Sequence, residues 1–241
     1  MTTTTPSHAH QIVYQQARYD MLRRFLRDYL LRPIGLGLLV KADVEGIEHV
    51  PTSGPAILMM NHIAAIDPFV VAAVVTSRFP VPMTKIENYR NPFVGLIARS
   101  WGAYPVRRGE IDRQALDSTV ALLNQGRLVL IAPEGTRHPT LQTAKGGLTY
   151  AAIKTGAMIV PTAVDGTDQF PKSLTRLRRA QVRVRFGRPF RFRIQTHDRL
   201  PRQETRQMTQ EAMYQLAALL PEHRRGVYHD LSQMTTEYLE F

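Results

Sequence analysis

Cysteine is missing altogether from this chain of 241 residues. Its absence excludes disulfides and thiolate metal sites and suits a reducing cytoplasm. Long apolar runs are missing as well. The longest, residues 33–40 and 69–75, fall far short of the roughly 18–20 residues that span a bilayer, so an integral membrane protein is not expected. The opening residues, Met1 to His8, are threonine-rich and lack the basic-then-apolar order of a signal peptide. No serine stands in a G-x-S-x-G elbow. The eight histidines show no metal-ligand spacing, so neither a metal nor a resident cofactor is expected.

Acidic residues are outnumbered. The formal net charge is +11, which asks for an anionic partner such as a phospholipid surface, a phosphorylated substrate or nucleic acid. Between Lys172 and Arg206 twelve Lys or Arg face only Asp198 and Glu204, so most of the excess is concentrated there. No recognised nucleic-acid-binding motif accompanies it.

What is present reads as alternating strands and helices. Residues 1–10 form a polar tail with the composition of disorder. From about Gln11 a helix runs to Leu31, with Leu22, Phe25, Leu26, Tyr29 and Leu30 on one face and Arg23, Arg24, Arg27 and Asp28 off it; Pro33 and Gly35 are expected to end it. Such a helix suits either a membrane interface or packing on the domain. Apolar segments at 41–50, 56–60, 81–85, 103–106, 127–132 and 158–164 read as strands. Helices begin at Asp67-Pro68, Asn91-Pro92 and Asp112, where a capping residue precedes the helix. Two arginine-alternating strands, around Val182–Phe186 and Phe190–Ile194, precede C-terminal helices from Pro201 to the end. No repeat or linker divides residues 36–241, so the expected fold is a single α/β domain. It has a mostly parallel sheet flanked by helices, an N-terminal amphipathic helix at 11–35 and C-terminal helices.

The chemistry-bearing residues fall at strand exits, where open α/β sheets bind ligands. His62 follows the strand 56–60, and Asp67 lies five residues on. A carboxylate accepting from one imidazole nitrogen fixes the tautomer and leaves the other nitrogen basic, a two-member version of the serine-hydrolase arrangement without its nucleophile. The substrate's own hydroxyl would then attack. Arg107-Arg108 and Glu134-Gly135-Thr136-Arg137 follow two further strands; arginine forks, a backbone glycine and a hydroxyl suit a phosphate monoester. Taken singly, each cluster is as easily a solvated turn, and Lys85 nearby reads as a solvated lysine.

Together these blocks resemble the glycerolipid acyltransferases of the 1-acylglycerol-3-phosphate O-acyltransferase type. Asn61, His62 and Asp67 match N-H-x4-D. Gly102 to Arg108 match a glycine-led strand ending in arginine. Glu134 to Arg137 match E-G-T-R, and Ile159-Val160-Pro161 match a proline-bearing apolar strand. All four stand in the family's order between about 46 and 164. Pro105, Val106 and Arg107 depart from the family's usual residues.

The resemblance implies His62 as general base oriented by Asp67. Arg108, Glu134, Gly135, Thr136 and Arg137 would form the acceptor-phosphate site, with Pro161 in the acyl or acceptor cleft. It implies acyl-CoA or acyl carrier protein as co-substrate, lysophosphatidic acid as acceptor and phosphatidic acid as product. The location it implies is peripheral, on the anionic inner face of the cytoplasmic membrane. Glycerol 3-phosphate or another lysophospholipid as acceptor, and a non-catalytic membrane-binding module, are the alternatives. The resemblance does not account for the basic region 172–206.

Overall fold

The computed structural model describes residues 15–107, 112–193 and 201–241. The expected tail 1–10 and the start of the first helix lie outside them. The chain folds as a seven-stranded sheet in the order β1-β7-β6-β2-β5-β3-β4. The strands are β1 (Val40–Glu45), β2 (Ala56–Met60), β3 (Val81–Lys85), β4 (Tyr104–Val106), β5 (Leu128–Ile131), β6 (Met158–Asp165) and β7 (Ala180–Phe186). The block β6-β2-β5-β3-β4 is parallel throughout, while β7 runs antiparallel to β6 and β1 parallel to β7. The mostly parallel α/β class is therefore borne out. The ends of β2, β3, β4 and β5 open on the same edge of the sheet.

Helices α1 (Asp20–Phe25), α2 (Asp67–Val74), α3 (Pro92–Trp101), α4 (Arg113–Asn124), α5 (Gly147–Thr155) and α6 (Arg202–Ala218) surround the sheet. Strand alternation sends Ile57, Met59, Val129, Ile131 and Ile159 into one core with Leu122 and Leu123 of α4, Leu148 of α5 and Met213 of α6. It sends Leu58, Met60, Leu130 and Val160 into a second core with Val70, Val71 and Val74 of α2. Strand β2 is buried along its whole length, which is why its sequence is an unbroken apolar run.

Local signals decide the helix ends. The Asn91 side chain accepts from the N–H groups of Phe93 and Val94 at the start of α3. Gly102 ends that helix in the left-handed conformation (φ +67°). Asp112 caps α4 by accepting from Ala115 N–H. After α6 the chain makes short 3-10 turns and a final strand, β9 (Leu239–Glu240), paired with β8 (Arg191–Phe192). The expected helix to the C-terminus is thus replaced by turns. Ile194 lies outside the described residues.

The N-terminal segment differs from expectation in two ways. Helical turns continue from α1 through a wide-coiled stretch, Leu26–Leu39, past Pro33. An i→i+5 coil spares the carbonyl that a proline obstructs in an α-helix. Two of its arginines also turn inward while much of its apolar face turns outward. Arg23 is 0 % exposed and Arg27 is buried, whereas Met21, Phe25, Tyr29 and Leu38 face solvent. Arg23 donates to Trp101 C=O at 2.7 Å, to Asp20 and to the Gln16 side chain. Burial pulls its guanidinium down to about 10, which keeps it charged near neutrality. Arg27 donates to Thr76 C=O and stacks on Phe79.

Candidate active site

The loop between β2 and α2 is built around one carboxylate oxygen. Asp67 Oδ2 accepts from Ile63 N–H (2.7 Å) and Ala64 N–H (2.8 Å) and lies 2.8 Å from His62 Nδ1. The side chain is 0 % exposed, and its other oxygen, Oδ1, is buried without a partner among the described residues. Asp67 was expected to cap α2. It instead turns back onto the preceding loop, because the two loop N–H groups and the imidazole converge there; Pro68 behind it takes the first turn without needing a donor. With Nδ1–H held by the carboxylate, His62 presents Nε2 as the basic nitrogen.

Asn61, beside the base, is structural. Its amide donates to Val164 C=O and its oxygen accepts from Val164 N–H, both at 2.8 Å. The side chain thus acts as one more peptide in the β2–β6 ladder and fixes where the chain leaves the sheet.

The loop after β5 grips the histidine from the other side. Glu134 is buried and accepts from Gln142 N–H at 2.8 Å and from the backbone N–H of His62. His138 N–H donates to His62 C=O at 2.9 Å. Burial pushes the Glu134 carboxyl up to about 7, against the two N–H groups that favour its charged form. The C-terminal turns brace this loop in turn, with Leu141 N–H bonded to Arg224 C=O and Arg224 paired with Asp165 and Asp168.

His62 stands on the wall of a cavity of about 670 Å3, of the size of small-molecule sites. Most of its lining is apolar, including Met60, Met83, Leu116, Leu130, Ile131 and Leu148. Arg107, Asp112, Gly135 and Lys145 supply polar groups to the same cavity. Asp112 also accepts from Arg107 N–H at 2.7 Å, so the carboxylate that caps α4 also holds the residue following β4.

The predicted residues do not all meet. His62, Asp67, Glu134 and Gly135 are brought together. Thr136 and Arg137 are exposed on the same loop and do not line the cavity. Arg108 lies outside the described residues, although its neighbour Arg107 reaches the cavity. Pro161 pairs with Met59 inside the sheet and accepts from Gly187 N–H, away from the cavity lining. Lys85 forms an exposed ion pair with Glu87. Sequence reasoning missed Lys145, whose side chain lies over Gly135: a Cβ there would sit 3.5 Å from Nζ. No sequence pattern marks it, because Lys145 lies in the irregular stretch between β5 and α5; in the fold, Gly135 (φ +74°) leaves a bare backbone for its side chain to approach.

The comparisons with known proteins fit this geometry. The sequence model of the family described as Acyltransferase matches residues 41–165, which holds β1 through β6 and every block named above. The chain is 33% identical over 135 residues to the 1-acyl-sn-glycerol-3-phosphate acyltransferase of Borreliella burgdorferi, covering 54% of each protein. It is 29% identical over 168 residues to the human 1-acyl-sn-glycerol-3-phosphate acyltransferase alpha, covering 67% of this chain and 59% of that one. It thus spans a little over half the length of these curated relatives. The crystal structure of the 1-acyl-sn-glycerophosphate acyltransferase PlsC from Thermotoga maritima superposes with a TM-score of 0.57 at 22% identity, covering 94% of this chain and 92% of that one. That likeness concerns the fold. With more than half of its length matched by the family model, this chain belongs to the acyltransferase family.

Proposed function

We propose that the protein transfers a fatty acyl group from an acyl thioester, acyl-CoA or acyl carrier protein, to the hydroxyl of lysophosphatidic acid, giving phosphatidic acid. The observation that carries this reading is the His62–Asp67 pair set at the wall of an apolar cavity with cations on its lining. His62 Nε2 takes the acceptor's hydroxyl proton as the oxygen attacks the thioester carbonyl. Asp67 stabilises the imidazolium that forms. The tetrahedral intermediate expels the thiolate, which takes the proton back from Nε2, so no net charge is left on the enzyme. The acyl chain lies along the apolar lining, and Arg107 and Lys145 hold the acceptor's phosphate.

The N-terminal segment gives the substrate its route. A helix that buries Arg23 and Arg27 and exposes Phe25 and Tyr29, stacked at 5.3 Å, has an apolar face with no protein against it among the described residues. Phe93 and Leu96 of α3, which α1 packs against, are exposed as well. This is the surface of a protein that sits at a membrane interface, where both lysophospholipid and product reside. No helix among the described residues is long and apolar enough to cross a bilayer.

The test is acceptor choice. Arg107→Ser and Lys145→Ser are each expected to raise KM for lysophosphatidic acid about tenfold or more, the worth of one charge-assisted contact, with little change in kcat. Monoacylglycerol, which lacks the phosphate, should be a poor acceptor for the wild type and insensitive to both substitutions. Equal use of the two acceptors would refute the phosphate assignment, and a preference for glycerol 3-phosphate or another lysophospholipid would reassign the acceptor.

A further inference from the structure

The basic residues of the loop before β7 and those on β7 itself form two different surfaces. On β7, Arg183 and Arg185 stand opposite Asp43 and Glu45 of β1, and Arg185 forms an ion pair with Glu45 at 3.1 Å. That part of the excess is answered within the sheet. The loop before β7 is different. Lys172, Arg176 and Arg178 are exposed, and among the described residues none has a carboxylate within ion-pair distance. At their centre Leu177 is 97 % exposed and holds a left-handed backbone (φ +50°), which a leucine rarely adopts.

The loop is pre-formed. Leu174 N–H bonds to Pro171 C=O, Leu177 N–H to Leu174 C=O, and both Ser173 N–H and Arg178 N–H to backbone carbonyls. It is also fastened to the N-terminal segment: Arg179 Nη2 donates to Leu36 C=O at 2.5 Å and to Val40 C=O at 2.9 Å. Between those two carbonyls in the chain stands the exposed Leu38. An ordered apolar tip ringed by cations with no carboxylate partner among the described residues is therefore joined to the stretch Leu26–Leu39, whose Tyr29, Leu30, Ile34 and Leu38 face outward.

We infer that the loop Lys172–Arg179 is a second membrane contact, specific for anionic phospholipid. Leu177 enters the interface, and Lys172, Arg176 and Arg178 meet lipid phosphates. A single amphipathic element binds a membrane reversibly, and a cationic patch beside it supplies the second signal that stable attachment needs. The inference rests on the interfacial placement of the N-terminal segment proposed above.

The experiment is co-sedimentation of the full chain with vesicles of phosphatidylcholine alone and of phosphatidylcholine mixed with phosphatidylglycerol. The variants are Lys172→Ser/Arg176→Ser/Arg178→Ser, Leu177→Asn and Phe25→Ser/Tyr29→Ser. Asparagine tolerates the left-handed conformation, so Leu177→Asn removes the apolar tip without straining the turn. Thermal unfolding and acyl transfer to acceptor in detergent micelles report on folding, and neither should move in the two loop variants.

At low salt each cation near an anionic surface is worth about fivefold in binding, so the triple variant should lose on the order of 100-fold on the mixed vesicles and little on phosphatidylcholine alone. Leu177→Asn should lose about tenfold on the mixed vesicles. Loop variants that bind like wild type, while Phe25→Ser/Tyr29→Ser is released, overturn this inference and leave the N-terminal placement standing. Wild type that sediments with neither vesicle overturns both. Unchanged vesicle binding with lost transfer from acyl carrier protein in micelles would make the loop a dock for an acidic protein and overturn the lipid assignment.

Discussion

Asp67→Asn separates the charge of the active-site carboxylate from its shape. Three donors converge on Asp67 Oδ2, the N–H groups of Ile63 and Ala64 and the His62 imidazole. An asparagine placing its oxygen there keeps all three partners, and placing its NH2 there opposes three donors with two more. The first orientation wins by at least two hydrogen bonds of about 1 kcal/mol each, so the imidazole keeps its tautomer. The negative charge opposite the imidazolium is what disappears. A preorganised electrostatic contact to charge that develops in the transition state is worth about 3–4 kcal/mol, which corresponds to roughly 10²–10³-fold in kcat.

The same substitution removes a fully buried charge whose second oxygen has no partner among the described residues, so the melting temperature should stay level or rise. The assay is steady-state thiol release beside thermal unfolding, with His62→Ala as reference. A kcat within about threefold of wild type, under ~1 kcal/mol by transition-state arithmetic, would refute the electrostatic role. A fall to the His62→Ala level would refute the tautomer argument, and a loss of folding would refute the claim that this carboxylate serves chemistry at the expense of stability.

Two further substitutions test the frame around the histidine. Asn61→Leu removes both bonds to Val164 and leaves its buried N–H and C=O unanswered, at a cost of about 2–4 kcal/mol; chemical denaturation measures it, and a change well under ~1 kcal/mol would make Asn61 a bystander. Glu134→Gln tests the buried carboxyl through pH. The unfolded chain releases this proton near 4.5 and the folded protein near 7, so the folded form binds more protons between those values. Its contribution is fully present below 4.5 and is lost as pH rises through 7, a span of about 3 kcal/mol. Denaturation across that interval should show a falling stability in wild type that is flattened in Glu134→Gln, and parallel curves would contradict it.

Much of the frame was legible because short apolar runs bounded by turn residues have few alternatives. β2, β3 and β6 stand where the sequence placed them, within a residue. Asn91, Gly102 and Asp112 punctuate α3 and α4 for reasons written in their side chains and backbone. The N-terminal segment shows the limit of periodicity: spacing separates two faces of a helix but does not say which turns inward. Burial of Arg23 depended on the Trp101 carbonyl and on Asp20 being there to receive it. Asp67 was read as a cap because aspartate before proline usually is one, and its backward turn depends on a loop conformation that no periodicity encodes.

The site was legible in its centre and less so at its edges. His62, Asp67 and Glu134 follow buried strands whose direction fixes where they emerge. Thr136 and Arg137 continue a loop whose path is set by the C-terminal turns, where Arg224 C=O accepts from Leu141 N–H of the loop; Arg224 is far away in sequence. Pro161 shares its strand parity with Ile159 and Ala163, which directs it to the core with α6. Lys145 belongs to a loop with no pattern, and only the folded path lays it over Gly135.

The central claim is that His62 activates an acceptor hydroxyl against an acyl thioester. The most direct measurement is thiol release from long-chain acyl-CoA, and from acyl carrier protein, with lysophosphatidic acid, glycerol 3-phosphate or no acceptor. Wild type and His62→Ala are run side by side, and the lipid products are identified by mass spectrometry. The account predicts release that depends on lysophosphatidic acid, yields phosphatidic acid and is lost in His62→Ala. Release independent of any acceptor, or equal in the two proteins, would contradict it.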